Sequence, residues 1–303
     1  MEKKTVTARR IRANLLLLLT ALIWGAAFVS QRVSMDYIGP FTFLCSRSLL
    51  GGVVLLPLIA VFSGKIPGEA PVPGAGRQLI LGGVLCGAAL FVASALQQIG
   101  IQYTSVGKAG FLTAMYIVLI PLSGIFLRRR IGFRVFSAVA VAVAGMYFLC
   151  LHGNGLERIN RGDLLELFCA LCFTVHILVV DRFAGRVDGV KMSCIQFFVC
   201  GALSFVCMLV FETPSWSDIL AAWLPIAYAG VMSSGVGYTL QIIAQRDTDP
   251  TVASLLMSLE AVFSLIAGWL ILGQRLSGWE LLGCGLMFAA IVWVQLPQKK
   301  KEE

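Results

Sequence analysis

The chain has 303 residues, of which 58% are hydrophobic and only 13% charged, and its mean hydropathy is +0.86. A water-soluble domain carries about 25% charged residues, so this composition excludes a soluble globular fold and points to a chain that crosses a membrane repeatedly. The formal charge of +8 raises the question of a nucleic-acid partner, but its placement follows membrane topology and no nucleic-acid partner is expected. Nine cysteines, an odd number lying mostly in apolar runs, read as small buried hydrophobes without a disulfide framework.

The N-terminus MEKKTVTARRIRANLLLLLTALIWGAAF has the basic start and apolar run of a signal peptide. The run continues past Trp24 to Val33, long enough to span, and reads as a retained first helix. About 20 apolar residues at a rise of about 1.5 Å cross a bilayer's hydrocarbon core. Runs of that length fall at 13–34, 41–62, 78–99, 107–127, 132–151, 162–180, 192–211, 219–242, 251–272 and 278–296. They predict an all-α membrane protein of ten transmembrane helices. Turn chemistry separates them at Ile38-Gly39-Pro40, Gly64–Gly76, His152-Gly153-Asn154-Gly155, Glu212-Thr213-Pro214-Ser215 and Asp247-Thr248-Asp249-Pro250. No connector is long enough for an extramembrane domain.

Lysines and arginines are distributed unequally between the two sides. Eighteen of the 24 fall in the N-terminal tail, 63–77, 128–134, 181–191, at Arg246 and in the C-terminal tail; four, Lys108, Arg158, Arg161 and Arg275, fall opposite; Arg32 and Arg47 lie within runs. The positive-inside rule then puts both termini in the cytoplasm of a multi-pass protein of the cell (inner) membrane.

An internal repeat supports the even count. Residues 96–124 align without gaps on 240–268, with identities at Leu96/Leu240, Gln97/Gln241, Thr104/Thr248, Ala109/Ala253, Leu112/Leu256, Val118/Val262 and Gly124/Gly268. Copies of five helices each, 1–151 and 152–303, must lie in opposite orientations, an inverted-topology repeat of the kind many secondary transporters share. The same offset of 144 pairs Tyr116 with Glu260, so the fourth and ninth helices should meet near the membrane midplane, where such folds hold their substrates.

Glu260 sits near the middle of the ninth run, TVASLLMSLEAVFSLIAGWLIL. A charge at that depth costs about 2.5–3.5 kcal/mol on insertion scales and normally faces protein or a wet cavity. Either the helix lines a substrate path or the carboxyl only ties helices together. On the eighth run Ser234, Tyr238, Gln241 and Gln245 share one α-helical sector, and the third run offers Ser94, Gln97 and Gln98. These neutral stripes suit a polar solute, or hydrogen bonds between helices. His176 is a titrating group or a neutral core histidine; Cys169, Cys172 and His176 are poorly spaced to converge on one metal ion. Arg47 is expected to snorkel outward rather than bind substrate, Glu166 to face water, and Arg32 to pair with Asp36 at i, i+4. Asn14 reads as interfacial, and Gly83-x-x-x-Gly87 as a close helix contact.

Ile23-Trp24-Gly25-Ala26-Ala27-Phe28-Val29 with Pro40 and Arg47, Gln102–Thr113 in the first copy, and Asp249–Glu260 in the second resemble drug/metabolite transporters of the EamA type, and the resemblance runs from Leu15 to Leu296. Two positions depart from that family: Ala261 stands where Pro often follows the mid-helix Glu, which predicts a less kinked helix. Gln274 stands where the family often has Glu in Leu-Gly-Glu-Arg. The resemblance implies a secondary transporter, an exporter of amino acids, related metabolites or drugs.

The sequence therefore predicts a transporter of a small-molecule substrate, polar or amphipathic, in a lipid bilayer, working by alternating access. Its energy would come from the solute gradient or from proton exchange through Glu260. No GxxxxGK[ST] loop is present, and no cofactor, metal or enzymatic role is expected. The candidate substrate-binding residues are Trp24, Ser94, Gln98, Tyr116, His176, Ser234, Tyr238, Gln241 and Glu260. Helices 1, 3, 4, 6, 8 and 9 would line the cavity. Helices 5 and 10, with small-residue faces at Ala138, Ala142, Gly145, Gly283 and Gly285, would form an outer scaffold or a homodimer surface. The alternative is an intramembrane enzyme acting on lipid through Glu260, His176 and Tyr116.

Overall fold

The structure, a computed structural model, describes residues 2–62, 75–104, 106–126, 132–150, 160–273 and 277–295. Its helices are α1 (Glu2–Ser34), α2 (Pro40–Phe62), α3 (Ala75–Gly100), α4 (Val106–Thr113), α5 (Tyr116–Phe126), α6 (Phe133–Cys150), α7 (Arg161–Ala184) and α8 (Gly189–Phe211). They continue with the short α9 (Trp216–Ala221) and α10 (Trp223–Ala227), a π-helical segment (Tyr228–Tyr238), α11 (Thr239–Gln245), α12 (Pro250–Met257), α13 (Glu260–Leu272) and α14 (Gly278–Gln295). No strand occurs among the described residues. The expected turns at 64–74 and 152–155, with Arg158, Gln274, Arg275 and the Lys108 side chain, lie outside the described residues.

Among the described residues, seven segments are long and apolar enough to cross a membrane: Arg9–Ser34, Pro40–Ala60, Ala75–Gly100, Arg161–Ala184, Gly189–Phe211, Trp223–Gln245 and Pro250–Ile271. Three shorter apolar helices lie at Ala109–Gly124, Phe133–Gly145 and Leu281–Trp293. The outward faces carry bare aliphatics such as Leu15, Ile80, Val206, Val210 and Leu270. Water would make such a surface unstable, whereas lipid tails solvate it at no cost. Five of the six tryptophans, Trp216, Trp223, Trp269, Trp279 and Trp293, are exposed, where an amphipathic ring suits the bilayer interface. This is a multi-pass membrane protein.

Local sequence sets the helix ends. Asn160 caps α7 through a reciprocal box with Asp163, and Asp188 accepts from the Val190 and Lys191 amides at the start of α8. Asp249 caps α12, with Pro250 in the first turn, where its missing N–H is no loss. Gly273 ends α13 at φ 66°, the left-handed conformation that favours glycine.

The helices of the two halves pack mainly on each other. α2 lies along α8, α6 along α14, α3 against α7 and α8, and α1 against α13 and the π segment. Glycines permit the closest approaches. A Cβ at Gly25 would collide with the Phe263 Cβ, and one at Gly145 would stand 2.8 Å from the Gly283 oxygen. Gly145 of α6 and Gly283 of α14 thus meet within one chain, while Gly285 is exposed. Gly83 and Gly87 let α3 approach Ile195, Gln196 and Val199 of α8, which is the close contact their spacing predicts.

Two segments expected to be continuous are interrupted. α4 and α5 are separated at Ala114–Met115, and α12 and α13 at Ser258–Leu259. Each break is a single tightened turn. Met115 donates to the Leu112 oxygen and Ile117 to that of Ala114, while Leu259 donates to Leu256 and Ala261 to Ser258. Every one of these bonds maps onto its counterpart at the offset of 144. Ala261 therefore does not straighten the helix. In the second copy the Ser254 and Ser258 hydroxyls bond the Thr251 and Leu255 carbonyls, a side-chain competition that loosens a helix without proline.

Candidate functional site

Thr113, Tyr116 and Glu260, which flank the two breaks, line a cavity among α1, α2, α3, α4, α5, α7, the π segment, α11 and α13. α1 presents Trp24, Ala27, Phe28 and Gln31 along one face; α3 adds Gln97, α4 Thr113, α5 Tyr116, α7 Phe173, His176 and Ile177. The π segment supplies Ser233 and Tyr238, α11 Gln241, α13 Glu260 and α2 Arg47. The volume is about 30 Å³, enough for an ordered water and too small for a free amino acid.

The break in the ninth run puts Glu260 in the first turn of α13, 4% exposed. Its carboxyl accepts a 2.8 Å hydrogen bond from the Tyr116 hydroxyl, which opens α5 in the equivalent position. The helix of α1 passes close to Glu260 because Gly25 has no side chain: a Cβ there would stand 2.8 Å from the Glu260 carbonyl oxygen. Trp24 donates from Nε1 to the Ser233 oxygen at 3.3 Å and packs on Tyr238 with centroids 4.5 Å apart. Gly237 leaves room for the indole; a Cβ there would stand 2.7 Å from Nε1. His176 is fully buried, its Nε2 3.1 Å from the Gln196 amide oxygen, and its ring meets Tyr238 edge-on.

Six of the nine residues picked from the sequence line this cavity: Trp24, Tyr116, His176, Tyr238, Gln241 and Glu260. Ser94, Gln98 and Ser234 do not. Ser94 is fully buried within α3, and Gln98 donates to the Gln31 oxygen at 3.1 Å, tying α3 to α1. Ser234 is turned onto α2, where it fills the space left by Gly51. The reason is the π segment. Its i→i+5 bonding aligns Ser233, not Ser234, with Tyr238, so an α-helical wheel mis-aims that one position. Gln245 donates to the Ile177 oxygen at 3.4 Å and acts as a tie between helices.

Two expectations about charge are corrected. Arg47 does not snorkel: it is 4% exposed and lines the cavity. The lipid-facing stripe of α2 is Leu49, Val53 and Leu56, and Arg47 lies on the other side of the helix. α2 thus joins the six runs expected to line the site. Glu166 does not face water either. It is fully buried and accepts from Thr113 Oγ1 at 2.9 Å, and Thr113 also receives a bond from Gln97. The signal was present in the sequence: Leu164, Leu167, Phe168, Leu171 and Val175 form the exposed side of α7, which leaves Glu166 inward with Asp163 and Phe173. Gln97 was likewise legible, since it is the repeat identity of Gln241. Arg32 and Asp36 do pair, at 3.2 Å on the surface.

The EamA-like transporter family model matches twice, over residues 11–151 and 160–296. The chain belongs to the EamA-like transporter family. As an EamA-like protein within the drug/metabolite transporter superfamily, it is 28% identical over 289 residues to an uncharacterized transporter of Archaeoglobus fulgidus, covering 95% of this chain and 87% of that protein. It is 27% identical over 172 residues to the threonine/homoserine exporter RhtA of Escherichia coli K12, covering 55% of this chain and 57% of that protein. A solved crystal structure shares the fold with a TM-score of 0.77 at 20% identity, covering 93% of this chain and 96% of the other.

Proposed function

We propose that this EamA-like protein is a secondary transporter that exports small polar or amphipathic metabolites, amino acids first among them, by alternating access. In this reading the ten apolar segments all span the cell (inner) membrane with both termini cytoplasmic. Residues 1–151 and 152–303 form two inverted five-helix repeats, and the chain is not an enzyme. The observation that carries it is the cavity between the halves, lined by aromatic rings and neutral amides around the buried Tyr116–Glu260 pair. The matched helix breaks at the 144 offset support the repeat, and the name of the RhtA relative supports amino acids as solutes. The family and the relatives support transport and give no support to a lipid-acting enzyme.

The test is counterflow. Proteoliposomes loaded with unlabelled threonine, homoserine or another amino acid should accumulate the labelled form transiently, and protein-free vesicles should not. Uptake equal to that of protein-free vesicles across all twenty amino acids would reject amino acids as the solutes.

A further inference from the structure

The cavity contains a cation with no counter-ion. Arg47 is 4% exposed, and its Nε has no hydrogen-bond partner. Among the described residues it makes no ion pair. Its guanidinium carbon stands 5.6 Å from the centre of the Phe43 ring, and Tyr238 lines the same cavity. Glu260, the acid that shares this cavity, accepts from Tyr116, and the buried Glu166 accepts from Thr113. A guanidinium does not lose its proton in a protein, and an unpaired charge inside a membrane protein is expensive. Such a group is retained where an anion comes to it, and a guanidinium fork matches a carboxylate with two parallel hydrogen bonds.

We infer that Arg47 binds the carboxylate of the transported solute and is the specificity residue for acids over their neutral analogues. This rests on reading the cavity as the transport site. It goes further by assigning the solute a carboxylate and giving that group a location. The carboxylate neutralises Arg47 while the remainder of the solute meets the aromatic and amide wall formed by Trp24, Tyr238 and Gln241.

Matched probes test it on the purified full-length protein: L-threonine against L-threoninamide, L-phenylalanine against its amide, and L-lactate against lactamide, with binding read by titration calorimetry. In at least one pair the acid should bind about tenfold or more tightly than the amide, as for a charged hydrogen bond lost. Arg47→Gln should bring that ratio to near one by weakening the acid alone, and Arg47→Lys should keep part of it. The wild-type ratio stands without any variant, and Arg47→Lys retains the charge should Arg47→Gln fail to fold. Equal binding of acid and amide in wild type, an unchanged ratio in Arg47→Gln, or binding confined to amides and amines would each overturn the assignment, as would binding of no probe. Binding of lactate without any amino acid would reject amino acids as the solutes and uphold Arg47. Counterflow of amino acids and their amides at equal rates would uphold transport and reject Arg47.

Discussion

Tyr116 and Glu260 share a 2.8 Å hydrogen bond and are 144 residues apart, the offset that relates the two halves of the sequence. Gln97 and Gln241, also 144 apart, line the same cavity. When two copies of a fold are related by a twofold axis, only positions beside that axis touch their own counterparts. The inverted-repeat reading therefore runs its axis through this cavity. Unlike a symmetric pair, this contact joins a phenol to an acid, so the two copies are not chemically equivalent where they meet.

Glu260→Gln keeps the shape and hydrogen-bonding capacity of the carboxyl but cannot ionise. If Glu260 couples protons, the variant should still exchange solute for solute in proteoliposomes while losing its response to an imposed pH gradient. Unchanged stimulation by the gradient removes Glu260 from coupling, and a wild type indifferent to the gradient makes the protein a facilitator.

The π segment yields a prediction at adjacent positions. Ser233→Ala removes the hydroxyl of a residue that lines the cavity and should lower transport severalfold at subsaturating solute. Ser234→Ala, on the side packed against Gly51, should leave it unchanged. The opposite ranking would mean that this stretch runs as an ordinary α-helix in the membrane.

Gly25 sets how near α1 lies to α13. Gly25→Ala puts a methyl group against Phe263 and the Glu260 carbonyl, and overpacking of this kind costs about 1–3 kcal/mol. Lowered thermal stability in detergent and lost transport are expected. Gly285→Ala, with nothing within 4 Å of its added carbon, is the control and should behave as wild type.

Topology is testable at two exposed turns. In a cysteine-free background, Thr213→Cys should react with a membrane-impermeant maleimide added outside intact cells, and Gly185→Cys only after the cells are opened. Labelling of Gly185→Cys from outside overturns the assignment of both termini to the cytoplasm.

The apolar runs and Glu260 were legible because a bilayer imposes length and penalises charge, and both constraints are written in composition. The repeat was legible through polar identities such as Gln97/Gln241. What stayed hidden depends on which way a helix turns. Depth along a helix puts Arg47 and Glu166 near water, whereas their burial is decided by rotation, which the leucine and valine stripes opposite them record. Ser234 lies outside the cavity because the π segment departs from the constant 3.6 residues per turn that a helical wheel assumes. The breaks at Ala114 and Ser258 carry no proline, so turn chemistry did not mark them.

Glu212, at the C-terminal end of α8, reaches across to the start of α2. Its two oxygens accept from the Phe41 and Thr42 amides, each at 2.8 Å, and from the Thr42 hydroxyl at 2.6 Å, satisfying donors that every helix start leaves open. Lower down, Ser48 meets Cys200 at 3.5 Å, and Gly201 receives the Leu49 side chain. Latched at one end and interlocked along their length, α2 and α8 form a single strut. If the protein works by the proposed alternating access, other helices would swing against this strut, and Arg47, mounted on it, would keep its position relative to α8.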